Sequence, residues 1–467
     1  MSISLFEIVG PVMIGPSSSG TAGMARIGAV AHDISEGIPA KIDVCFHPRH
    51  YEGYAGCRSH YAAVGGALGM SPEDDNIRNA LEEAEKRNIT VSVSFFEPPL
   101  PKEGLTVRIS IENTDGKKFS VLGISLGGGM IDILEINGKP AGKHNENTAD
   151  AGSTEEHNNK KDVTPLFTSC CEYVRLSEKY EDPADIAFAY EIHNSGKSTE
   201  ELKKEMHREL EVMQSAVKRG LNEKPRGLYG FVNGDEGAKI KEAYDRGKLY
   251  DSILPQAIAK AVATMNTAMS MGTIVAAPTS GSCGILPGCL LTVQEQCGFD
   301  DDRLIGAMFT AAALGAIMRY HGVRMSGMEG GCQGEVGVSS AMAAGALVYL
   351  RGGSASEICH AAALALKGMM GLICDPIGAN SEIPCVKRNA AGVGNAFAAA
   401  DMALAGIKSF IPPDEVIDAL VHVQARTPEC FRCGDSGLYS SPTACRARHE
   451  EKLIDAAIRS ESEPRQE

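Results

Sequence analysis

The chain lacks any dense basic run, and its 45 Lys and Arg are outnumbered by 60 Asp and Glu for a formal charge of −15. That balance argues against a nucleic-acid surface. No stretch reaches the roughly 18 uninterrupted apolar residues of a membrane span. The apolar stretches near 303–318 and 396–407 are rich in Ala and Gly, with Asp401 inside the second, and read as helices packed tightly within a protein. The opening MSISLFEIVGPVMIG has no basic segment leading into a clean apolar run and a small-residue cleavage site, so no signal peptide is expected. Without an export signal the 14 cysteines are expected to be cytoplasmic thiols or metal ligands, not a disulfide frame. No repeat of fixed period is present.

What is present divides the 467 residues into two patterns. Residues 1–140 read as a small α/β domain. Val91-Ser92-Val93-Ser94-Phe95 and Leu105–Ile111 alternate as strands do, within a β-rich stretch at 90–136. Asp75–Lys86 reads as a helix, and Gly127-Gly128-Gly129 as a turn or close backbone approach. Residues 141–163 are polar and read as a linker. From 164 to 450 the pattern is helical, leaving 451–467 as a tail. Ser198 and Glu201 form a capping box, followed by Leu202, Met206, Leu210, Met213, Val217 and Leu221 at amphipathic spacing. From about 237 to 425 successive Ala-, Gly- and Met-rich helices are expected, with no competing strand. The fold class is α+β, a small α/β domain followed by a mainly helical one.

Four segments rich in Gly, Ser and Pro separate these patterns: GPSSSGT at 15–21, PTSGSCGILPG at 278–288, GGCQGEVG at 330–337 and CDPIGANSEIPCVKRN at 374–389. A single such loop only ends a helix. Several in one domain, bearing cysteines, suggest a site. Cys332, Cys374 and Cys385 sit on irregular backbone, where thiolates can converge and N–H groups can bond a cluster's sulfides. Three thiolates would leave one iron of a four-iron cluster open as a Lewis acid. Spacing by itself is weak support, since no C-x-x-C occurs among the three. Cys430 and Cys433 do form one, with Cys445 beyond; without a second half-site, these read as structural or incidental thiols. Cys289, Cys297 and Cys359 have apolar neighbours and read as small core residues. Lys387, Arg388 and Asn389 are either a solvated surface group or a carboxylate clamp for an amino acid. The hydroxyls and N–H groups of Ser18, Ser19 and Thr21 can cap a helix and hold a carboxylate at once.

At these residues the chain resembles the iron–sulfur-dependent L-serine dehydratases. The resemblance is carried by GTIVAAPTSGSCGILPG at 272–288, EGGCQGEVGVSSAMAAG at 329–345, GLICDPIGANSEIPCVKRNA at 371–390 and ADMALAGIKSFIPPDEVIDA at 400–419. Towards the N-terminus it is carried by LFEIVGPVMIGPSSSGT and VLGISLGGGMIDILEING. It implies a 4Fe-4S cluster on Cys332, Cys374 and Cys385, a small amino-acid substrate and no pyridoxal phosphate. It implies substrate contacts from Ser18, Ser19, Thr21, Ser280, Gly281, Ser282, Lys387, Arg388 and Asn389, and a homodimer. The family eliminates water from serine, and the resulting aminoacrylate hydrolyses to pyruvate and ammonia. Two imidazoles of the family pattern are missing. Its Ser-Ser-His-Thr is Ser18-Ser19-Gly20-Thr21 here, and its Gly-His-Gly-Thr-Asp falls on Gly56-Cys57-Arg58-Ser59-His60. Cys57 and His60 become the candidates for proton transfer, and Gly20 reads as an open place that would accept a histidine. The changes raise two alternatives: a cysteine desulfidase or lyase for a larger serine derivative, and a cluster-bearing sensor without catalysis.

Overall fold

The computed structural model describes residues 2–48, 54, 56–97, 105–141, 163–377 and 381–448. Most of the expected linker at 141–163, the tail at 451–467 and Gly378 to Asn380 of the second cysteine loop lie outside the described residues.

The N-terminal part is a six-stranded sheet: β2 (Pro39–Phe46), β3 (Thr90–Phe95), β4 (Leu105–Asn113), β5 (Lys118–Gly127), β6 (Met130–Ile136) and β7 (Lys139–Pro140), in the order β3-β2-β4-β5-β6-β7. Only β2 and β3 run parallel. The alternation expected for Leu105–Ile111 is present, with Val107, Ile109 and Ile111 buried. Two helices, Gly23–Ile34 and Ser59–Ala67, cover that face and share one core with it. They cross very closely: a Cβ on Gly28 would stand 2.3 Å from the Ala63 carbonyl oxygen. The expected helix at Asp75–Lys86 begins as a 3-10 turn, Asp75–Asn79, and becomes α-helical at Ala80–Lys86.

The rest is helical, as the pattern implies. Thr199–Asn222 has the capping box of Ser198 and Glu201 and buries Leu202, Met206, Leu210, Met213 and Val217. Val338–Leu350 is buried at all 13 positions, which explains why it shows no amphipathic stripe. One expectation fails. Thr273–Val275 is a strand, β8, paired antiparallel with β1 (Val12–Ile14) through Val12 with Val275 and Ile14 with Thr273. Both strands are three residues long and too apolar to alternate, so no period-two signal exists to read. Their pairing, with Leu5, Ile8, Val9 and Val12 packed in the helical core, carries the chain's start into the helical part. It thereby delivers residues 15–21 to the helical loops. Ser4 Oγ (2.9 Å) and the Leu5 N–H (2.8 Å) donate to the Glu191 carboxylate and pin this segment.

Glu209, on Thr199–Asn222, is buried, and its Oε2 has no hydrogen-bond partner among the described residues. Burial pushes its carboxyl up to about 8. The folded state therefore holds this proton more tightly than the unfolded chain, whose carboxyl sits near the ordinary 4.5. The associated stability is full below about pH 4.5 and is lost as pH rises through about 8, on the order of a few kcal/mol. Urea unfolding of Glu209→Gln should thus show a much flatter decline in stability between pH 5 and pH 9 than the parent, each pH chosen to bracket the shifted carboxyl at about 8.

Candidate active site

Cys332, Cys374 and Cys385 come from three separate pieces of backbone and are all buried, at 0%, 3% and 3% exposure. Cys332 follows Gly331, whose φ of +75° turns the chain out of the short helix Gly327–Gly330. It then opens the π-helical turn Gln333–Gly337, which runs into Val338–Leu350. Cys385 is the first residue of the helix Cys385–Leu404. Both thiols therefore stand at the positive ends of helices, which favours thiolate. Cys374 lies in extended backbone, its N–H donating to the Phe431 carbonyl (2.8 Å). Gln333 ties the first two loops together, its N–H donating to Leu372 O (2.9 Å) and its side-chain oxygen accepting from the Gly371 N–H (2.9 Å).

The thiols act as one group. Hydrogen bonds with Cys374, then with Cys385, hold Cys332 well below the ordinary thiol range, and Arg388 adds to the effect. Cys374 and Cys385 are pushed up, each first by sharing a hydrogen bond with Cys332; a hydrogen bond with Cys433 and then burial add to this at Cys374, and burial does at Cys385. Cys332, Cys374 and the carboxylate of Glu335 place their ligand atoms within 4.8 Å of one another, a geometry able to hold a metal ion. Burial, then the nearby Cys332, raises the Glu335 carboxyl to about 8. Two glycines let the backbone pack closely against it. A Cβ on Gly281 would stand 3.3 Å from a Glu335 oxygen, and one on Gly327 would meet Glu335 at 2.7 Å and the Cys374 sulfur at 2.9 Å.

The three residues after the Cys385–Val386 pair have different surroundings. Lys387 is exposed. Arg388 donates to the Cys332 sulfur (3.2 Å), to the Ile373 carbonyl (2.9 Å) and to Asp375 Oδ1 (2.7 Å). Asn389 is buried; its Nδ2 donates to Gly281 O (2.8 Å) and its Oδ1 accepts from the Gly284 N–H (3.1 Å). Asn389 thereby locks the Pro278–Gly288 loop onto the Cys385 helix. In that loop Ser280–Ser282 form a single 3-10 turn. Ser280 donates to the Pro16 carbonyl (2.9 Å) and Ser282 to the Ala277 carbonyl (3.3 Å), so that within this turn Gly281 lies against Glu335, which also hydrogen-bonds the Thr279 side chain.

The Ser280–Pro16 bond joins this loop to the N-terminal one. Ser18–Ala22 is a π-helical turn capped by Ser17, which accepts the Gly20 N–H (2.9 Å). Ser18 and Thr21 are buried and Ser19 is half-buried. Thr21 donates its hydroxyl to the Cys57 carbonyl (2.9 Å). His60 is buried on the helix Ser59–Ala67, its ring 5.0 Å from that of Tyr54 and 4.6 Å from that of Tyr61. The reading of Gly20 as an open place is corrected. A Cβ there would lie 2.7 Å from the Cys57 Cβ and 3.0 Å from its sulfur. The two departures from the family pattern touch, so a histidine at Gly20 requires Cys57 to yield. The Gly127-Gly128-Gly129 turn joins β5 to β6 with φ of +93°, +59° and +79°, and brings the sheet against Ser326 and Pro278.

Several residues of this neighbourhood escape the sequence reading. Glu335 lies three residues after Cys332, the spacing that keeps helical side chains on one face, and that signal was available. Asp375 and Glu382 give none. Glu382 is buried ahead of Cys385 and accepts the N–H groups of Tyr229 (2.8 Å), Phe231 (2.8 Å) and Val232 (3.0 Å). Cys433 has its sulfur 2.9 Å from that of Cys374.

Convergent buried thiols with a carboxylate among them form a group able to hold a metal ion. The model of the family described as "Serine dehydratase alpha chain" matches residues 139–439, which hold every thiol of the site together with Glu335 and Arg388. The chain is 40% identical over 296 residues to the "Probable L-serine dehydratase, alpha chain" of Bacillus subtilis (strain 168), covering 63% of this chain and 97% of the relative. It is 36% identical over 267 residues to the "L-serine dehydratase, alpha chain" of Peptoniphilus asaccharolyticus, covering 57% and 91%. It also matches the "Probable L-serine dehydratase, beta chain" of Bacillus subtilis (strain 168), 42% identical over 135 residues, 29% of this chain and 60% of the relative. The chain belongs to the serine dehydratase alpha-chain family, and is an enzyme. Among the described residues no helix is long and apolar enough to cross a membrane.

Proposed function

We propose that the chain eliminates water from L-serine, giving pyruvate and ammonia, with a 4Fe-4S cluster held by Cys332, Cys374 and Cys385. The observation that carries this reading is the convergence of three buried thiols, one of them held low, beside a carboxylate against which Gly281 and Gly327 pack closely. The donor set fits: thiolates on irregular backbone suit iron–sulfur chemistry, and an Arg388 N–H on the Cys332 sulfur is the kind of outer contact such sites use. When bound, the cluster supplies a Lewis acid for the departing hydroxyl.

The chain's own residues do the rest. Ser18, Ser19 and Thr21 hold the amino acid on one side and the start of the Ser280–Ser282 turn, with Gly281, on the other; the Gly20, Thr21 and Ala22 N–H groups are already bonded within their own turn. Glu335 takes the α-proton, since its carboxylate faces Gly281 beside the thiols. Cys57 borders the N-terminal turn against Gly20, these two being the places where the family pattern carries imidazoles, and His60 stands three residues on, against Tyr54 and Tyr61. Lys387, being exposed, takes no part in this arrangement, and Arg388 serves the thiols. Residues 1–140 and 164–450 act together in one chain, as parts for which relatives are separately named alpha and beta chains. Having Cys57 against Gly20 in place of imidazoles favours one second reading, elimination from a β-substituent other than hydroxyl, with L-cysteine the nearest case.

Protein purified anaerobically should release pyruvate and ammonia from L-serine without added pyridoxal phosphate, at a kcat/KM above that for L-cysteine or a larger β-substituted analogue. Faster sulfide release from L-cysteine would establish the second reading. Turnover of none of the three would sink both.

A further inference from the structure

Cys433 is a sulfur beside the site that the proposed reaction does not use. It belongs to the segment after the last long helix, Pro413–Arg426, and is half-exposed. That segment is clamped to the Cys374 strand from both sides. The Cys374 N–H donates to Phe431 O (2.8 Å), and the Cys433 N–H donates to Cys374 O (2.9 Å), a short parallel bridge. Cys433 itself has a φ of +55°, a left-handed conformation that residues other than glycine rarely adopt. Asp375 holds the same segment a few residues on, its Oδ2 accepting the Leu438 N–H (2.7 Å). The result is a sulfur–sulfur approach of 2.9 Å between Cys374 and Cys433. The bridge pairs Cys374 with Arg432, so Cys433 is the next residue along from the direct partner of Cys374; a disulfide needs the two sulfurs to close from 2.9 Å to about 2.05 Å. The sequence neighbour Cys430 sits in a different turn, Glu429–Phe431.

We infer that Cys374 and Cys433 form a disulfide whenever the metal group is lost, sealing one of its three thiol positions until the bond is reduced. This rests on the reading of Cys374 as a ligand, because a sulfur bound to iron is not free to pair. The reaction needs a peroxide as oxidant. The half-exposed Cys433 thiol gives its electron pair to one peroxide oxygen; the O–O bond breaks, releasing water and leaving a sulfenic acid. The Cys374 sulfur then attacks the Cys433 sulfur, the S–S bond forms, and the hydroxyl leaves with the Cys374 proton as a second water. Two thiols lose two electrons and the peroxide gains them. Cys374 is buried, and without Cys433 the thiol beside it is Cys332, itself a ligand position; oxidation not trapped by a thiol goes on to irreversible acids. The neighbour converts that damage into a reversible bond.

The test uses full-length protein stripped of iron with a chelator under argon, then treated with hydrogen peroxide, blocked with a maleimide and digested. The expected product is a peptide pair joined through Cys374 and Cys433, absent after dithiothreitol. In protein still carrying its chromophore, the pair should appear only as fast as the colour is lost. Cys433→Ser should retain the parent's iron content when prepared anaerobically, yet give no such pair and show irreversible oxidation of Cys374. Joining of Cys374 to Cys332 or Cys385, or of Cys430 to Cys433, would overturn the inference. So would loss of iron from Cys433→Ser, which would make Cys433 a ligand. Formation of the same pair in protein that never binds iron would support the pairing while contradicting the cluster reading, so the two fail separately.

Discussion

Serine in place of Cys332, Cys374 or Cys385 should remove most of the iron from anaerobically prepared protein and bring turnover to background. Losing an outer partner of a metal ligand typically costs about 10–100-fold in affinity or activity, and losing a ligand itself should exceed that. Each thiol arrives on a different piece of backbone, so none can stand in for another without moving a helix start or the Cys374 strand. The control is Cys359→Ser. Cys359 is equally buried, but it lies on the helix Ala355–Met369, and its thiol neighbour is Cys170. It should keep its iron and its turnover. Full iron in all three ligand variants would remove the basis for the site.

The second large effect is expected at Glu335. Glu335→Gln should lower kcat by about 10²–10⁴, the usual contribution of a positioned general base, with iron content unchanged. Glutamine keeps the size of the side chain between Gly281 and Gly327, so the loss would be of the charge and not of the packing. A measurement that separates base from ligand is exchange of the serine α-hydrogen with deuterated solvent, which should disappear in the variant together with turnover. If instead the iron is lost, Glu335 is a ligand beside Cys332 and Cys374, as their 4.8 Å grouping would also allow. Unchanged turnover would return the role of base to Cys57 or His60.

How far the sequence could be read depended on how local each signal was. The capping box of Ser198 and Glu201 involves residues three apart and was legible, as was the amphipathic run it begins. So were the alternating strands β3 and β4. The pairing of β1 with β8 was not, because three apolar residues carry no period and the partners are some 260 positions apart in sequence. The three thiols could be singled out by their Gly- and Pro-bearing loops and by resemblance, yet apart from the spacing of Glu335 after Cys332 nothing local told where their neighbours would be. Arg388 stands three positions after Cys385, but its sulfur contact is to Cys332, 56 residues away. Gly20 and Cys57 illustrate the same limit. Each could be seen to depart from the family pattern; that one fills the space left by the other required the backbone of two elements to be placed. Cys433 read as an incidental thiol for the same reason, since its C-x-x-C spacing pointed to Cys430 while the fold turned it to Cys374.

The central claim is that three thiolates hold an iron–sulfur cluster whose remaining iron faces the amino acid. Mössbauer spectra of anaerobic protein grown on isotopically enriched iron, recorded with and without L-serine, test it most directly, together with chemical analysis of iron and acid-labile sulfide. The account predicts about four irons and as many sulfides per chain, with one iron subsite alone changing its signal when serine is added. Protein that turns over serine while containing no iron, or a cluster whose irons all ignore serine, would contradict it.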